Sequence, residues 1–192
     1  MKTQLLFPTV LGFSLNKNHN KIKNKLINYC VDQANTILKG GDNWASKIYN
    51  TCGTKEIVSV KEFKVLNDWI FKEVAEYIKE LGYTGDIIAN SSWFNIYHKH
   101  DYQEYHNHDG SDFSAVYFLE SEEDSANVIF RSNEPPGIKK VFIKDNPYTW
   151  QRFFVPPTPG RLIVFKSNVQ HCVEQHKKEN RRISLAYNFK IK

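Results

Sequence analysis

The feature that most constrains the fold is a change of sequence pattern near Gly85. From that glycine onward, short segments rich in Ile, Val, Phe and Tyr alternate with clusters of Gly, Pro, Asn and Asp. Short segments separated by turn formers are typical of a β-sandwich or a β-barrel. The pattern predicts strands at residues 87–97, 102–108, 113–119, 127–131, 139–143, 151–155, 161–165 and 182–191.

The first part of the chain follows a helical period instead. Over residues 20–38 the apolar side chains recur at three- and four-residue steps, which predicts one amphipathic helix. A second stripe of this kind runs over residues 60–81 and stops at Gly82. We therefore expect two helices ahead of the strands, joined by a loop at residues 42–56.

Two helices followed by a series of strands indicate an α+β fold that is mainly β. We expect a jelly-roll or cupin-like barrel that the helices brace on one side. The chain has 192 residues, enough for one well-buried domain and too few for two comfortable ones. We therefore expect a single domain over residues 1–192, with residues 1–84 as its support and residues 85–192 as its barrel core.

The charge and the cysteine content bound the location and the partners of the chain. Its formal net charge is +5, and much of the excess lies in residues 16–25 and at the C-terminus. A solvated surface is the favoured explanation, and a face that binds nucleic acid is the less favoured one.

The cysteines Cys30, Cys52 and Cys172 are odd in number and show no Cys-x-x-Cys spacing. They fit a reducing compartment, so we expect a cytoplasmic protein.

Residues 1–7 superficially resemble the start of a signal peptide. Pro8 and Gly12 interrupt the apolar run, however, and no small-residue cleavage site follows it. We expect a strand at residues 1–7 instead. No stretch of the sequence approaches the roughly 20 apolar residues that a membrane span requires, so no membrane partner is expected.

The segment His106-Asn107-His108 is the first motif that carries chemistry. In a strand, residues two apart point to the same face, so both imidazoles can reach one ion. Imidazole nitrogen suits Fe(II), Cu, Ni and Zn, whereas hard oxygen-seeking ions ask for more carboxylates. Taken alone the motif is weak, because surface histidines are common.

His171 strengthens this interpretation. Gly160 introduces a buried apolar segment, and a short polar loop then delivers the histidine. The alternative role for His171 is to cap that strand. His176 lies among charged residues in what the sequence predicts to be an exposed turn, so we do not expect it to be a ligand.

Arg182 and Ser184 form the third motif. A strand over residues 182–191 places both side chains on one face and its large apolar side chains on the other. An arginine and a serine that point into a barrel suit a dicarboxylic acid. A guanidinium grips a carboxylate with two parallel hydrogen bonds, and the hydroxyl adds a third. The alternative is that Arg182 is an ordinary surface residue beside Arg181.

Together these motifs resemble the 2-oxoglutarate/Fe(II)-dependent oxygenase superfamily. The resemblance consists of a His-x-His pair, a distal histidine on a strand introduced by glycine, and an Arg-x-Ser that follows it. It covers roughly residues 90–190. The segments 93–97 and 113–119 look like a small branch that is related to prolyl hydroxylases and found in bacteria and phages.

The resemblance implies a double-stranded β-helix that binds Fe(II) through His106, His108 and His171. It implies a dioxygenase that uses 2-oxoglutarate and O₂, releases succinate and CO₂, and hydroxylates a prime substrate. The catalytic set would be the three histidines together with Arg182. The sequence does not identify the prime substrate.

The resemblance also assigns the residues that bind the cosubstrate. Arg182 and Ser184 would hold the distal carboxylate of 2-oxoglutarate. Asn95 and Tyr97 resemble the Asn-x-Tyr element with which alkylation-repair dioxygenases contact the same molecule. Asn188 lies on the Arg182 face and is a weaker candidate.

One position departs from the pattern of the superfamily. The usual carboxylate, two residues after the first histidine, is His108 here. Three neutral imidazoles leave the iron site one negative charge short. Asp109 is a substitute ligand if the strand bulges there. The motif can also be aligned from His108, as His108-Asp109-Gly110. In this alignment His108 is the first ligand, and the motif resembles that of related halogenases, in which a halide takes the coordination position of the missing carboxylate. The sequence leaves these alternatives open, with three histidines favoured.

Other function classes also stay open. A cupin-like metal enzyme that does not use 2-oxoglutarate suits a His-x-His pair with a distant third histidine. That class leaves Arg182 and Ser184 without a task. A barrel that binds a ligand without catalysis is a third class. The sequence neither indicates nor excludes a homodimer.

The entrance to the site is expected to be framed by loops, at residues 42–56, 98–104 and 132–160. Trp150, Phe153 and Phe154 either line this entrance or take part in ordinary packing.

Overall fold

A computed structural model describes residues 1–2, 4–37, 39–40, 44–132 and 146–192. The described residues form two α-helices, α1 at His19–Ala34 and α2 at Lys64–Glu80. Two short 3₁₀ turns, Ile57–Ser59 and Lys61–Phe63, precede α2.

The described strands form two antiparallel sheets. The large sheet has six strands in the order β1-β8-β5-β10-β3-β2, which are Leu11–Leu15, Arg161–Lys166, Phe113–Glu120, Arg182–Ile191, Ile87–Tyr97 and Tyr49–Asn50. The small sheet has four strands in the order β4-β9-β6-β7, which are Gln103–His106, His171–Val173, Val128–Arg131 and Arg152–Val155.

The two faces of the large sheet serve different purposes. Its first face packs against both helices in an apolar core that includes Leu26 of α1, Ile70 of α2 and Leu185 of β10. Its second face meets the small sheet, where Phe118 of β5 and Phe130 of β6 share a second apolar cluster. The predicted α+β fold, mainly β and braced by helices on one side, is confirmed to that extent.

Strand β10 shows how the alternating pattern separates the two faces. Its apolar side chains, at Ile183, Leu185, Tyr187 and Phe189, all belong to the core under the helices. Because side chains alternate along a strand, the intervening residues face the small sheet. Arg182 pairs with Tyr97 and Ser184 with Asn95 in the ladder with β3.

Several of the predicted elements are confirmed. Strands β3 and β10 have the predicted bounds. Each of the strands β5, β6, β7 and β8 begins and ends within one residue of its predicted bounds. The second helix stops where expected, since Gly82 has a φ of +84° and donates its N–H to the carbonyl of Lys79. Glycine adopts this left-handed conformation without the strain that a Cβ brings. The predicted strand at residues 139–143 lies outside the described residues.

Other predictions were wrong. The described residues of this segment, 1–2 and 4–7, form no strand, and Phe7 has a φ of +54°, which is incompatible with extended backbone. The N-terminal strand is β1, five residues that pair with β8. The first helix ends at Ala34 and not at residue 38. The loop at residues 42–56 contains the short strand β2, because those two residues pair with the long strand β3.

Among the described residues, no helix is both long and apolar enough to cross a lipid bilayer.

Candidate metal and cosubstrate site

Three histidines meet at one end of the small sheet. The ladder between β4 and β9 places His106 directly opposite His171, and His108 follows two residues later. One ligand atom from each of the three side chains lies within 4.8 Å of the others. The ring centroids of His106 and His171 are 4.3 Å apart, and each lies 5.1 Å from that of His108. This spacing allows all three imidazoles to bind one ion.

A β-bulge in β4 produces part of this arrangement. Gln103 pairs with Val173 while His106 pairs with His171, so three steps on β4 correspond to two on β9. The extra residue lets Gln103 and His106 face the same side although their separation is odd. The bulge therefore lies before His106 and not at Asp109, where the alternative ligand set would require it.

Backbone carbonyls orient two of the rings. His106 Nδ1 lies 2.7 Å from the carbonyl oxygen of Glu104, and His171 Nδ1 lies 3.0 Å from that of Val169. A carbonyl oxygen only accepts, so each Nδ1 carries the proton. Each Nε2 is therefore the unprotonated nitrogen, and a carbonyl partner at Nδ1 is the arrangement that commonly supports histidine ligands.

Burial keeps two of the imidazoles neutral. Burial, followed by the nearby His106, lowers the pKa of His108 from its usual value to about 4. Burial is also the main reason that the pKa of His171 lies well below its usual value, with His106 and His108 adding to the effect. Neutral imidazole is the form that binds a metal, so at neutral pH these two side chains need lose no proton first.

Asp109 does not join the histidines. Its side chain is exposed, and its carboxylate accepts a hydrogen bond of 3.0 Å from the amide of Asn107. Within the described part of the chain, the potential metal-binding group around His106 comprises only histidines. Over the described ranges, the arrangement thus offers three imidazole ligands and no carboxylate.

Arg182 is a buried cation with unused hydrogen-bond donors. Its side chain is 0% exposed, and its guanidinium carbon lies 4.5 Å from the ring centre of Tyr97 and 5.4 Å from that of Phe118. Nη1 donates to Ser184 Oγ at 3.4 Å, while Nε and Nη2 have no partner among the described residues. Burying a guanidinium with unmet donors is costly, so the structure indicates an anionic ligand.

The histidines and Arg182 line one cavity of about 250 Å³. Its wall also includes Trp93, Tyr97, Gln103 and Asn188. No carboxylate belongs to the described part of the wall. One cavity therefore offers three imidazoles for a transition metal and a guanidinium for a carboxylate. This donor set fits Fe(II) and 2-oxoglutarate.

Two of the other sequence-predicted binding residues lie just behind this wall. Asn95 and Ser184 are buried and face each other across the β3–β10 ladder, but the described wall does not include them. Asn95 Oδ1 accepts a hydrogen bond of 3.2 Å from the indole N–H of Trp93. Ser184 contacts Arg182 instead of the cavity.

Gln103 was not predicted as a residue of the site, because the period of two in a regular strand places it on the opposite face from His106. Trp93 was not predicted there either, and its ring lies 5.7 Å from that of His108. No sequence signal marks the bulge that brings Gln103 into the wall.

The prediction that His176 lies in an exposed turn was wrong. Its side chain is 0% exposed, and Nε2 lies 2.7 Å from the carbonyl oxygen of Asn180. Its backbone pairs with that of His100 and Asp101, which pulls the segment into the protein. It does not belong to the histidine group of the site.

The three entrance aromatics are partly exposed. Trp150, Phe153 and Phe154 are 42%, 37% and 45% exposed, and the described wall of the cavity does not include them. None of the three is a core residue, and their role, at an entrance or in loop packing, stays a prediction.

A family model described as "Putative 2OG-Fe(II) oxygenase" matches residues 91–188. This range contains all three histidines, Arg182 and Ser184. No curated protein matches the chain in sequence.

Solved structures resemble the whole chain at low sequence identity. A prolyl-4-hydroxylase from Pseudomonas putida is 14% identical with a TM-score of 0.67, covering 96% of this chain and 94% of that one. A prolyl hydroxylase from Trichoplax adhaerens, solved with a peptide fragment of the hypoxia inducible factor oxygen degradation domain, is 12% identical with a TM-score of 0.66, covering 94% and 83%. The α-ketoglutarate-dependent epimerase SnoN from nogalamycin biosynthesis is 10% identical with a TM-score of 0.68, covering 95% and 79%. These similarities show a shared fold.

Proposed function

The chain belongs to the 2OG-Fe(II) oxygenase family, and from this membership we propose that it hydroxylates a prime substrate while converting 2-oxoglutarate to succinate and CO₂. Fe(II) and 2-oxoglutarate are the cofactors that the family uses, and O₂ is the second cosubstrate. The single observation that carries the proposal is the cavity itself. Its wall combines a group of three histidines with a buried guanidinium whose Nε and Nη2 have no partner among the described residues.

We propose that His106, His108 and His171 hold the iron. The support is the spacing of their ligand atoms and the carbonyl hydrogen bonds that place the ring proton of His106 and His171 on Nδ1. Asp109 is excluded from this proposed set because its carboxylate is exposed and bonded to Asn107.

We propose that Arg182 grips the distal carboxylate of 2-oxoglutarate. A buried guanidinium makes strong, directional hydrogen bonds to a carboxylate, and burial strengthens the attraction. Ser184 orients Nη1 through its hydroxyl. Tyr97 and Asn95 support the proposed cosubstrate site, Tyr97 with its ring against the guanidinium and Asn95 through its hydrogen bond from the indole of Trp93.

When bound, iron and 2-oxoglutarate supply the activation of O₂ and the oxidising power for attack on a C–H bond. The chain itself positions both groups and limits the water around them. Trp93 and Tyr97 contribute ring surface to the wall, and both side chains are almost fully buried. A dry cavity strengthens the charge interactions that hold the cosubstrate and limits side reactions.

We also propose that the two facing sheets form a double-stranded β-helix, in one domain over residues 1–192. The order of the strands in both antiparallel sheets supports it, as does the fold shared with several oxygenases. Helices α1 and α2 share one apolar core with β10, which supports their role as a brace.

The reaction proposed is hydroxylation, for which the similarity to two prolyl hydroxylases is the support. SnoN, with a similar fold, is an epimerase, so the fold alone does not fix the outcome. The cupin-like alternative without 2-oxoglutarate gains no support from any comparison. The cytoplasmic location stays a prediction, a nucleic-acid partner stays the less favoured explanation of the charge, and the oligomeric state stays open.

Consumption of 2-oxoglutarate tests the proposal. Purified protein with Fe(II), ascorbate, O₂ and 2-oxoglutarate should form succinate slowly without a prime substrate and faster with one. Omission of iron or O₂ should stop it, and His171→Ala should abolish it. Succinate formation no faster in wild type than in His171→Ala, across a broad substrate screen, would refute the proposed activity. Mass analysis of the modified substrate then distinguishes hydroxylation, a gain of one oxygen atom, from epimerisation.

A further inference from the structure

Gln103 is a buried polar residue of the cavity for which neither the fold nor the resemblance supplies a role. It is 8% exposed and lines the cavity together with the three histidines and Arg182. The β-bulge between Gln103 and His106 turns its side chain inward. In a regular strand, a residue three positions from His106 would point to the outer face. The bulge therefore brings a carboxamide into the metal cavity.

One hydrogen bond fixes the orientation of this carboxamide. The phenol of Tyr97 donates to Gln103 Oε1. The ring of Tyr97 in turn lies against the guanidinium of Arg182, 4.5 Å from its central carbon. Gln103 is thus connected through Tyr97 to the residue that we assign to the distal carboxylate of the cosubstrate.

The same hydrogen bond uses the only donor that Tyr97 has. Burial raises the pKa of this phenol, although the charge of Arg182 opposes the rise. The phenol therefore stays protonated at neutral pH, and its proton lies toward Gln103. A carboxylate in the cavity needs donors, and the O–H of Tyr97 is already engaged.

Gln103 carries the donors that Tyr97 lacks. With Oε1 accepting from the phenol, the amide nitrogen Nε2 keeps two N–H groups. Nε2 makes no hydrogen bond to any residue of the described ranges, and the side chain forms part of the cavity wall. An amide whose oxygen is tied down presents its nitrogen in a fixed direction.

We propose that Gln103 is a further binding residue for 2-oxoglutarate, and that its Nε2 donates to the carboxylate that Arg182 holds. Tyr97 is then a positioning residue that fixes the Gln103 amide and supports the guanidinium with its ring. This inference rests on the proposed function and adds a residue that the Arg-x-Ser motif does not contain.

Anaerobic titration of the Fe(II) protein with 2-oxoglutarate tests the inference, with the visible charge-transfer band of the complex as the readout. Gln103→Met keeps the length of the side chain and removes its donors, so the dissociation constant should rise by about tenfold or more. Gln103→Glu keeps the shape and adds a negative charge to the wall, so the rise should be roughly a hundredfold or more. Gln175→Glu makes the same change at an exposed position and should leave binding unchanged.

A second ligand separates binding from mere support of the fold. 2-Oxobutyrate has the 2-oxo acid end of 2-oxoglutarate but lacks the distal carboxylate. Gln103→Met should weaken 2-oxoglutarate and leave 2-oxobutyrate within about twofold of wild type. Tyr97→Phe should also weaken 2-oxoglutarate more than 2-oxobutyrate, but by a smaller factor than Gln103→Met. Iron content and the thermal midpoint, measured on every variant, report whether the fold and the metal site are intact.

Three outcomes overturn the inference. Unchanged 2-oxoglutarate binding in both Gln103 variants refutes it while the proposed function stands. Equal weakening of both 2-oxo acids in Gln103→Met makes Gln103 a structural residue only. Failure of wild-type iron protein to bind 2-oxoglutarate refutes the proposed function and this inference together. If Gln103→Met does not fold, the near-isosteric Gln103→Glu decides alone.

Discussion

The two sheets build their halves of the cavity in different ways. Arg182 lies on β10, a strand of 10 residues that pairs along its length with β3 and packs against the helices. His106 and His171 lie on β4 and β9, strands of four and three residues with an irregular ladder. The carboxylate half therefore lies on one long strand, and the metal half lies on short strands of the sheet that packs in the second apolar cluster.

This difference suggests how each half responds to loss of its ligand. A long strand inside a packed core opens only with the whole fold, whereas short strands with few ladder bonds open locally at lower cost. Arg182 should stay in place without a ligand. The histidines should gain much of their order from the metal ion that joins β4 to β9.

The largest expected effect comes from removing a ligand on the short strands. His171→Ala takes away one of three proposed metal ligands and should weaken Fe(II) binding by more than about a hundredfold. Metal content after anaerobic loading and desalting measures this. His98→Ala, at an exposed histidine outside the cavity, is the matched control and should load fully. A fully loaded His171→Ala protein would refute the triad.

A change on the long strand should separate the cosubstrate from the metal. Arg182→Leu should still load iron yet lose 2-oxoglutarate affinity by roughly 2–5 kcal/mol, because the carboxylate loses its charged partner. Isothermal titration of the iron-loaded protein gives the value. Arg181→Leu is the control, since Arg181 pairs with Glu120 instead of facing the cavity. Equal losses from both variants would mean that the assigned register of β10 is wrong.

Metal loading should stabilise the two sheets unequally. A metal at about 100 times its dissociation constant stabilises the folded chain by roughly 2.7 kcal/mol. Hydrogen exchange should slow mainly at amides of β4 and β9, with little change in β10 until the whole chain unfolds. Comparison of iron-loaded and chelator-treated protein by mass spectrometry measures this. Uniform protection of both sheets would contradict the distinction between them.

The smallest effects on iron binding are expected from substitutions of His108, where the superfamily usually has a carboxylate, and of the adjacent Asp109. His108→Asp restores the commoner set of two histidines and one carboxylate, so it should fold and bind iron. Asp109→Asn should change metal content little, because that carboxylate is exposed and bonded to Asn107. Metal content of both variants is the measurement. If His108→Ala still binds iron and Asp109→Asn does not, the ligand is Asp109, as in the alternative with a bulge at that residue.

The long strands explain why much of the fold could be predicted. The alternation of β10 is regular over its whole length, so its core face follows from the sequence. From that alternation Arg182 and Ser184 fall on the opposite face. The two helices carry stripes with a clear period, and Gly82 marks one end.

The short strands explain why the rest could not be predicted. Three residues at β9 carry too little periodicity to indicate a strand. The bulge in β4 reverses the side on which Gln103 lies, and no residue type marks it. His176 looks exposed among charged neighbours, yet backbone hydrogen bonds to distant residues bury it. These features depend on pairing between segments far apart in the chain, which a local pattern does not contain.

The central claim is that one cavity holds iron on three histidines and 2-oxoglutarate on Arg182. Anaerobic titration of wild-type Fe(II) protein with 2-oxoglutarate tests it most directly. We predict a visible charge-transfer band that saturates at one 2-oxoglutarate per iron and is absent when Zn(II) replaces iron. Iron that binds without such a band, or a cosubstrate that binds equally well to His171→Ala protein lacking iron, would contradict the claim.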